Sequence, residues 1–306
     1  MDSQVGGDLC FPHLFNTSCK KPTSSWTETV LLRTMLSFIS LLTVALNLLV
    51  IISVSHFRHM FLSPCRKLHT PTNILLLSLA VSDFLVGLLL MPGEIMRRTA
   101  CWFFGDLMCS LYNYVSYIVT SASVGDMVLI SADRYVAICD PLHYSSTVTE
   151  RKVKVCVCLC WLSSVLYSSV IVKSDLTQPG QHNSCYGECV IVVDYVLGTF
   201  DLVVTFIAPV TVVVVLYMRV FVVAVSQARA MRSQVTAVSL QLSVSEDLLT
   251  DSSASYVIFL FYFNSCLNPV IYALFYPWFR RATKLIITFQ ILRPGSCEAN
   301  IHVRRR

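Results

Sequence analysis

Long uncharged blocks alternate with short polar connections along this chain. Uncharged, largely apolar runs occupy residues 34–55, 155–172, 202–218 and 252–279, which are 22, 18, 17 and 28 residues long. Each reaches the roughly 17–25 residues that a helix needs to cross a bilayer's hydrocarbon core. Residues 73–92 and 110–132 also qualify, although each encloses one acid, Asp83 and Asp126. Backbone polar groups in lipid must be satisfied internally, and runs this long exclude the weak alternation of a membrane β-barrel. The pattern predicts an all-α polytopic helical bundle with six recognisable spans.

Composition removes the other broad classes. With 55% apolar and only 13% charged residues, against about 25% charged in soluble domains, a water-soluble globule is excluded. The excess of 23 Lys and Arg over 18 Asp and Glu is modest, so the basic residues speak to topology and not to nucleic-acid binding. No paired catalytic carboxylates, phosphate loop, metal spacing or nucleophile constellation stands out, which argues against an enzyme. Neither an internal repeat nor matched interrupted segments point to a transporter.

Charge sets the orientation. Residues 1–29 are polar, carry Cys10, Cys19 and the sequon Asn16-Thr17-Ser18, and lack the pattern of a cleaved signal peptide. With this segment outside and Asn16 a glycosylation acceptor, the inner connections hold Arg58, Arg66, Lys67, Arg134, Arg151, Lys152 and Lys154. The outer ones hold Arg97, Arg98 and Lys173, in agreement with the positive-inside rule. The expectation is a multi-pass plasma-membrane protein with its N-terminus outside.

The count then fails at the far end. Residues 280–306 carry Arg280, Arg281, Lys284, Arg293, Arg304, Arg305 and Arg306, and only an odd number of crossings places such a tail in the cytoplasm. Between the fifth and last spans, residues 226–251 open basic (Arg229, Arg232) and close acidic (Glu246, Asp247, Asp251). Their longest uncharged run, 233–245, has 13 residues and cannot span. A cytoplasmic half-loop therefore joins an outer one directly, with a gap near 243–246. The chain divides into an outer segment (1–29), a bundle (30–279) and an inner amphipathic helix and tail (280–306).

Several motifs identify the parent fold independently of this count. Asp133-Arg134-Tyr135 closes the third span, Leu79-Ala80-Val81-Ser82-Asp83 lies in the second, Asn47 in the first and Trp161 in the fourth. Pro209 is expected to break the fifth, and Asn268-Pro269-Val270-Ile271-Tyr272 sits in the last. Together they resemble the rhodopsin-like G-protein-coupled receptors. The longer string from Asn264-Ser265-Cys266-Leu267 to Tyr276-Pro277-Trp278-Phe279 is similar to the fingerprint of trace amine-associated receptors, as are Leu68-His69-Thr70-Pro71-Thr72-Asn73 and Trp102-Phe103-Phe104-Gly105-Asp106. That branch senses amines in olfaction, and the resemblance implies coupling to a heterotrimeric, stimulatory G protein. The sixth helix of the family, with its Cys-Trp-x-Pro core, has no counterpart. The resemblance accordingly implies an amine receptor with impaired signalling or, alternatively, a truncated non-signalling or pseudogene product.

The resemblance also directs attention to a ligand site. Amine receptors carry an aspartate on the third helix where this chain has Ser116. Asp201, eight residues before Pro209, resembles the fish-expanded subset in which the acid stands on the fifth helix. A charged side chain in a membrane helix costs at least ~2.5–3.5 kcal/mol and is usually kept for a partner or a pathway. No Lys or Arg stands at comparable depth in the spans, so a ligand ammonium is the expected partner; the alternative is an Asp at a helix end that snorkels to water. Helical spacing sets Tyr112, Ser116 and Thr120 on one stripe with Asn113 and Tyr117 beside it, and the last helix supplies Tyr262, seven residues before Pro269; the tyrosines are candidates for cation–π contact, with ordinary packing as the alternative. Glu94, just past Pro92, reads as a solvated loop acid.

By resemblance Asp83, Ser123, Asn264 and Ser265 hold a sodium ion, a donor set suited to a hard cation; a water-filled polar cluster is the alternative. Asp126 receives no role from the family. Arg134 meets the G protein, Asp133 is its resting partner beside Tyr135, and Tyr217 and Tyr272 are the switching tyrosines, with Asn268 and Pro269 in the same machinery. Resemblance implies disulfides Cys109–Cys189 and Cys19–Cys185, and leaves Cys101 unassigned. Cys156, Cys158 and Cys160 alternate and read as small apolar residues. Beyond Pro277 the apolar face of Trp278, Phe279, Ala282, Leu285, Ile286 and Phe289 predicts a helix lying on membrane lipid, and Cys297 is a candidate for palmitoylation.

Overall fold

A computed structural model describes residues 9–14, 17–20, 26–59, 70–181, 183–231, 262–272 and 277–288. Asn16, Cys297 and the gap at 243–246 lie outside the described residues. Helix α1 spans Trp26–His59, α2 Pro71–Leu85, α3 Met91–Thr99, α4 Gly105–Cys139, α5 Pro141–Thr147, α6 Glu150–Ile171, α7 Lys173–Thr177, α8 Tyr195–Leu202 and α9 Ala208–Met231. Residues 262–272 form α10, and α11 is Pro277–Ile287. Among the described residues five helical stretches are long and apolar enough to cross a membrane: Thr29–Ser55, Pro71–Thr99, Gly105–Cys139, Glu150–Ile171 and Tyr195–Val223.

Two of these stretches correct the sequence reading, which ended the second span at Pro92 and broke the fifth at Pro209. In both, a π turn precedes the proline, at Val86–Leu90 and Val203–Ile207. Met91 N–H reaches back to the Val86 carbonyl and Ala208 N–H to Val203. A proline cannot donate to the fourth carbonyl behind it, and the wider turn absorbs that mismatch without ending the helix. The second crossing thus continues to Thr99 and carries Glu94 inside it. The fifth begins at Tyr195, so Asp201 stands within the helix.

Helix starts follow local chemistry. Thr70 is extended before Pro71, as a residue preceding proline prefers. Thr149 caps α6 by accepting from Lys152 N–H at 3.4 Å, and Asp194 caps α8 through Val196 N–H at 3.3 Å.

The interior has three levels. Leu36, Ile39, Val86, Leu90, Met91, Val119, Tyr262 and Cys266 form an apolar cluster toward the disulfide-bonded end. Val50, Leu76, Leu79, Ala80, Tyr272 and Phe279 form another toward Asp133. Between them lie the buried polar side chains Asn47, Asp83, Ser123 and Asn268. Apolar residues elsewhere point outward: Phe38, Leu41, Leu159, Leu166 and Phe221 are exposed, the arrangement expected of a lipid-facing surface. On α11, Phe279 and Ala282 are buried and Arg280 and Lys284 exposed.

Helix α4 is the hub, packing on α2, α6 and α9. It meets α6 at Gly125, where an added Cβ would stand 2.4 Å from Cys160 Sγ. Gly125→Ala should therefore lower stability by about 1–3 kcal/mol, read as a fall in thermal midpoint in lipid nanodiscs, and Cys160→Ala in the same chain should recover most of it.

Candidate functional site

Asp201 sits one turn and a half into the fifth crossing and is half-buried. Tyr167 on α6 donates its phenolic O–H to Asp201 Oδ1 at 2.5 Å. Thr205 returns its hydroxyl to the Asp201 carbonyl at 2.7 Å, so it does not compete for the carboxylate. Among the described residues no Lys, Arg or His forms an ion pair with Asp201. A neutral phenol orients the carboxylate and leaves its charge uncompensated.

The other ligand candidates divide. Tyr112 spends its hydroxyl on the Leu90 carbonyl (2.9 Å), and Ser116 on the Tyr112 carbonyl (2.8 Å). These two polar tips belong to the scaffold around the π turn. Tyr262 is buried in the apolar cluster with Val119 and Met91. Thr120 and Tyr117 are half-buried on α4. Sequence reasoning missed Tyr167, because no spacing rule links a residue on the fourth span to one on the fifth. It also missed Asp175 on α7, buried and accepting from Asn113 Nδ2 at 3.1 Å.

Glu94 is not a loop acid. It lies on α3 with its side chain 4% exposed, and it pairs with Arg97 at 2.7 Å and Arg98 at 2.5 Å. Positions three and four residues apart share a helix face, and Pro92 does not end the helix, so both guanidinium groups close over one carboxylate.

Asp83, fully buried, accepts from Asn268 Nδ2 at 2.7 Å and from Ser123 Oγ at 3.2 Å. Asn47 donates to the Ser265 carbonyl at 3.0 Å, and Asn47 Oδ1 is a buried atom without a partner. Carboxylate, hydroxyl and amide oxygens gathered in one buried layer fit a hard monovalent cation. Asn264 donates its Nδ2 to Met127 Sδ at 3.5 Å, a bond that leaves the amide oxygen, the atom a cation takes, uncommitted by it. Asp126, which had no assigned role, ends a buried chain across three helices: Trp161 Nε1 donates to Ser78 Oγ at 3.0 Å, and Ser78 donates to Asp126 Oδ2 at 2.7 Å.

At the opposite end Arg134 lies 3.3 Å from Asp133. Thr72 (2.9 Å) and Tyr144 (2.8 Å) also donate to the Asp133 carboxylate. Burial, with the hydrogen bond to Asp133, holds the Tyr144 phenol above its ordinary range. Tyr135 is half-buried beside them. Tyr272 is buried edge-on to Phe279, whereas Tyr217 is 48% exposed on α9.

Three disulfides fasten the other end: Cys10–Cys101, Cys19–Cys185 and Cys109–Cys189. The first gives Cys101 a partner that the sequence left open. Above the apolar cluster they rim a cavity of about 500 Å³ lined by Lys20, Arg97, Arg98, Trp102 and Glu188 among others.

Comparison with known proteins agrees with this architecture. The family described as "7 transmembrane receptor (rhodopsin family)" matches residues 46–241. The chain is 34% identical to trace amine-associated receptor 8a of Rattus norvegicus, covering 96% of both chains. It is 33% identical to receptor 8c of Mus musculus, with 98% of each covered, and 30% identical to receptor 3 of Mus musculus, with 95% of each covered. These are receptors and not enzymes, and they carry the fold of a multi-pass plasma-membrane protein with small-molecule ligands and G-protein partners. The chain belongs to the trace amine-associated branch of the rhodopsin-like G-protein-coupled receptors.

Proposed function

We propose that this receptor detects amines by pairing the ligand ammonium with Asp201, and that its parent activity is olfactory signalling through a stimulatory G protein. The observation that carries the reading is the Asp201 carboxylate inside a membrane-crossing helix with a phenol, and no cation, as its described partner. A half-buried carboxylate strengthens a charge-assisted hydrogen bond to an ammonium, and Tyr117, half-buried on α4, supplies an aromatic face to share the cation in this reading. Ser116, Tyr112, Thr120 and Tyr262 shape the walls around it.

The N-terminus faces outside in this reading, with Asn16 glycosylated, α11 on the inner lipid surface and no nucleic-acid partner. Asp83, Ser123, Asn264 and Ser265 hold a sodium ion, Asn264 through its amide oxygen. Asp133 restrains Arg134, which with Tyr135, Tyr217, Asn268, Pro269 and Tyr272 makes up the coupling and switching machinery.

The missing sixth helix impairs signalling. The match to receptor 8a runs over 343 positions, although the chain has 306 residues, so at least 37 positions of that alignment have no residue here. This number exceeds a spanning helix of about 20 residues. Among the described residues α9 packs on α4, and nothing from Tyr195 to Ile207 is buried. The same observations favour, as a second reading, a truncated product that binds amine without signalling. Sequencing the transcript across residues 243–246 tests the two: an in-frame helix with a Cys-Trp-x-Pro core supports the receptor, and its absence supports the truncated product.

A further inference from the structure

We propose that the disulfide-rimmed cavity is a second binding site, separate from Asp201, that takes the carboxylate of a small organic anion. Asp201 does not line this cavity, so the inference stands or falls apart from the amine reading.

Charge selects the anion. Three cations, Lys20, Arg97 and Arg98, and one acid, Glu188, line the cavity. Glu188 is engaged already, accepting from Ser184 N–H at 3.0 Å. Buried Glu94 pairs with both arginines and cancels one of their charges. With Glu94 and Glu188 set against Lys20, Arg97 and Arg98, one net positive charge remains. A single bound carboxylate brings the cavity to neutrality, whereas a cation is repelled.

The donors are free to act. Glu94 takes Nε and Nη2 of Arg97 and Nε of Arg98. Among the described residues no hydrogen bond engages Arg97 Nη1 or either Nη of Arg98, and the two side chains are 28% and 29% exposed. A guanidinium pinned on one edge by a buried acid is preorganised to offer its other edge to a carboxylate, whose two oxygens match that fork.

The frame around these donors is closed by backbone bonds. Cys10 N–H donates to the Cys19 carbonyl at 2.8 Å, Cys19 N–H to Tyr186 at 2.9 Å and Trp102 N–H to Gly187 at 2.8 Å. Cys10 and Cys19 are also bonded to Cys101 and Cys185. Gly187 at φ 103° lets its loop pass against Cys10, where a Cβ would come within 3.0 Å. Lys20 from the N-terminal segment and the arginines of α3 thereby line one cavity, and a bound carboxylate ties the two together with little backbone ordering left to do. The volume of about 500 Å³ lies within the roughly 300–1,000 Å³ of small-molecule sites. Val190 and Ile191 line it as well, giving the hydrocarbon body of an organic anion a contact that a bare halide cannot use.

The test uses the 306-residue chain in lipid nanodiscs at about 0.15 M ionic strength, where diffuse attraction is screened within ~8 Å. Hexanoate and benzoate are titrated calorimetrically against hexanamide, benzamide and inorganic phosphate. At least one carboxylate should bind about tenfold or more tightly than its amide, the size of one charge-assisted contact, and should raise the thermal midpoint. Arg97→Gln and Arg98→Gln should each cut that preference to below about threefold. Lys20→Gln, on an exposed side chain clear of the buried pair, should lower carboxylate affinity about two- to fivefold and covers the case in which an arginine variant does not fold. Equal binding of acid and amide, a preference that none of the three variants moves, tighter binding of phosphate than of either carboxylate, or no binding at all overturns the proposal. Asp201→Asn should leave carboxylate affinity within about twofold, whatever it does to amines. A loss as large as that from the arginine variants would merge the two sites and overturn their separation.

Discussion

The 306-residue chain, expressed at a cell surface, is expected to give no amine-evoked rise in cyclic AMP, and insertion of a spanning helix between residues 243 and 246 is expected to create one. Family receptors expose the arginine of the Asp133-Arg134-Tyr135 motif by swinging the sixth helix outward. Here Arg134 stays within 3.3 Å of Asp133, and Thr72 and Tyr144 hold the same carboxylate. A ligand shifts a two-state equilibrium only by its differential affinity for the two states, and moving it from 1:99 to 99:1 takes about 5.5 kcal/mol. In the reading that lacks a sixth helix, amine binding at Asp201 has no second helix position through which to express that difference. A response from the uninserted chain within about tenfold of the inserted one, at equal surface expression, would refute the account of signalling.

Asp201→Asn is expected to weaken amine binding by at least about tenfold, because the half-buried carboxylate contributes a charge-assisted hydrogen bond of about 1.5–3 kcal/mol. The amide keeps the shape and the Tyr167 hydrogen bond, so the change isolates the charge. Tyr167→Phe should weaken binding by about tenfold or less, since it removes only the hydrogen bond that orients the carboxylate. The order of the two effects matters as much as their size. A larger loss from Tyr167→Phe than from Asp201→Asn would mean that the aromatic wall, and not the ion pair, carries recognition.

Much of the bundle was legible in the sequence because bilayer thickness forces apolar runs to a readable length. Asp83 and Asp126 stood out for the same reason, as lone acids in spans otherwise free of charge, whereas Asp201, just before the run 202–218, was reached through the family resemblance. What stayed hidden depended on helix register. Pro92 and Pro209 looked like breaks because the π turns before them, with Met91 N–H on Val86 and Ala208 N–H on Val203, leave no mark in composition. That error at Pro92 carried over to Glu94, which became a loop residue on paper and is a buried ion-pair centre in the fold. Tyr167 with Asp201, Ser78 with Asp126, and Cys10 with Cys101 each join elements whose pairing is set by tertiary packing, which no local spacing encodes.

The most direct measurement is a through-space contact. An isotope-labelled primary amine bound to carboxyl-labelled receptor in lipid, observed by solid-state NMR, is predicted to give an ammonium nitrogen correlation to the side-chain carboxyl of Asp201 that vanishes in Asp201→Asn. A correlation to Asp83, Asp175 or Glu94 in its place, surviving that substitution, would contradict the assignment of the amine to the fifth helix.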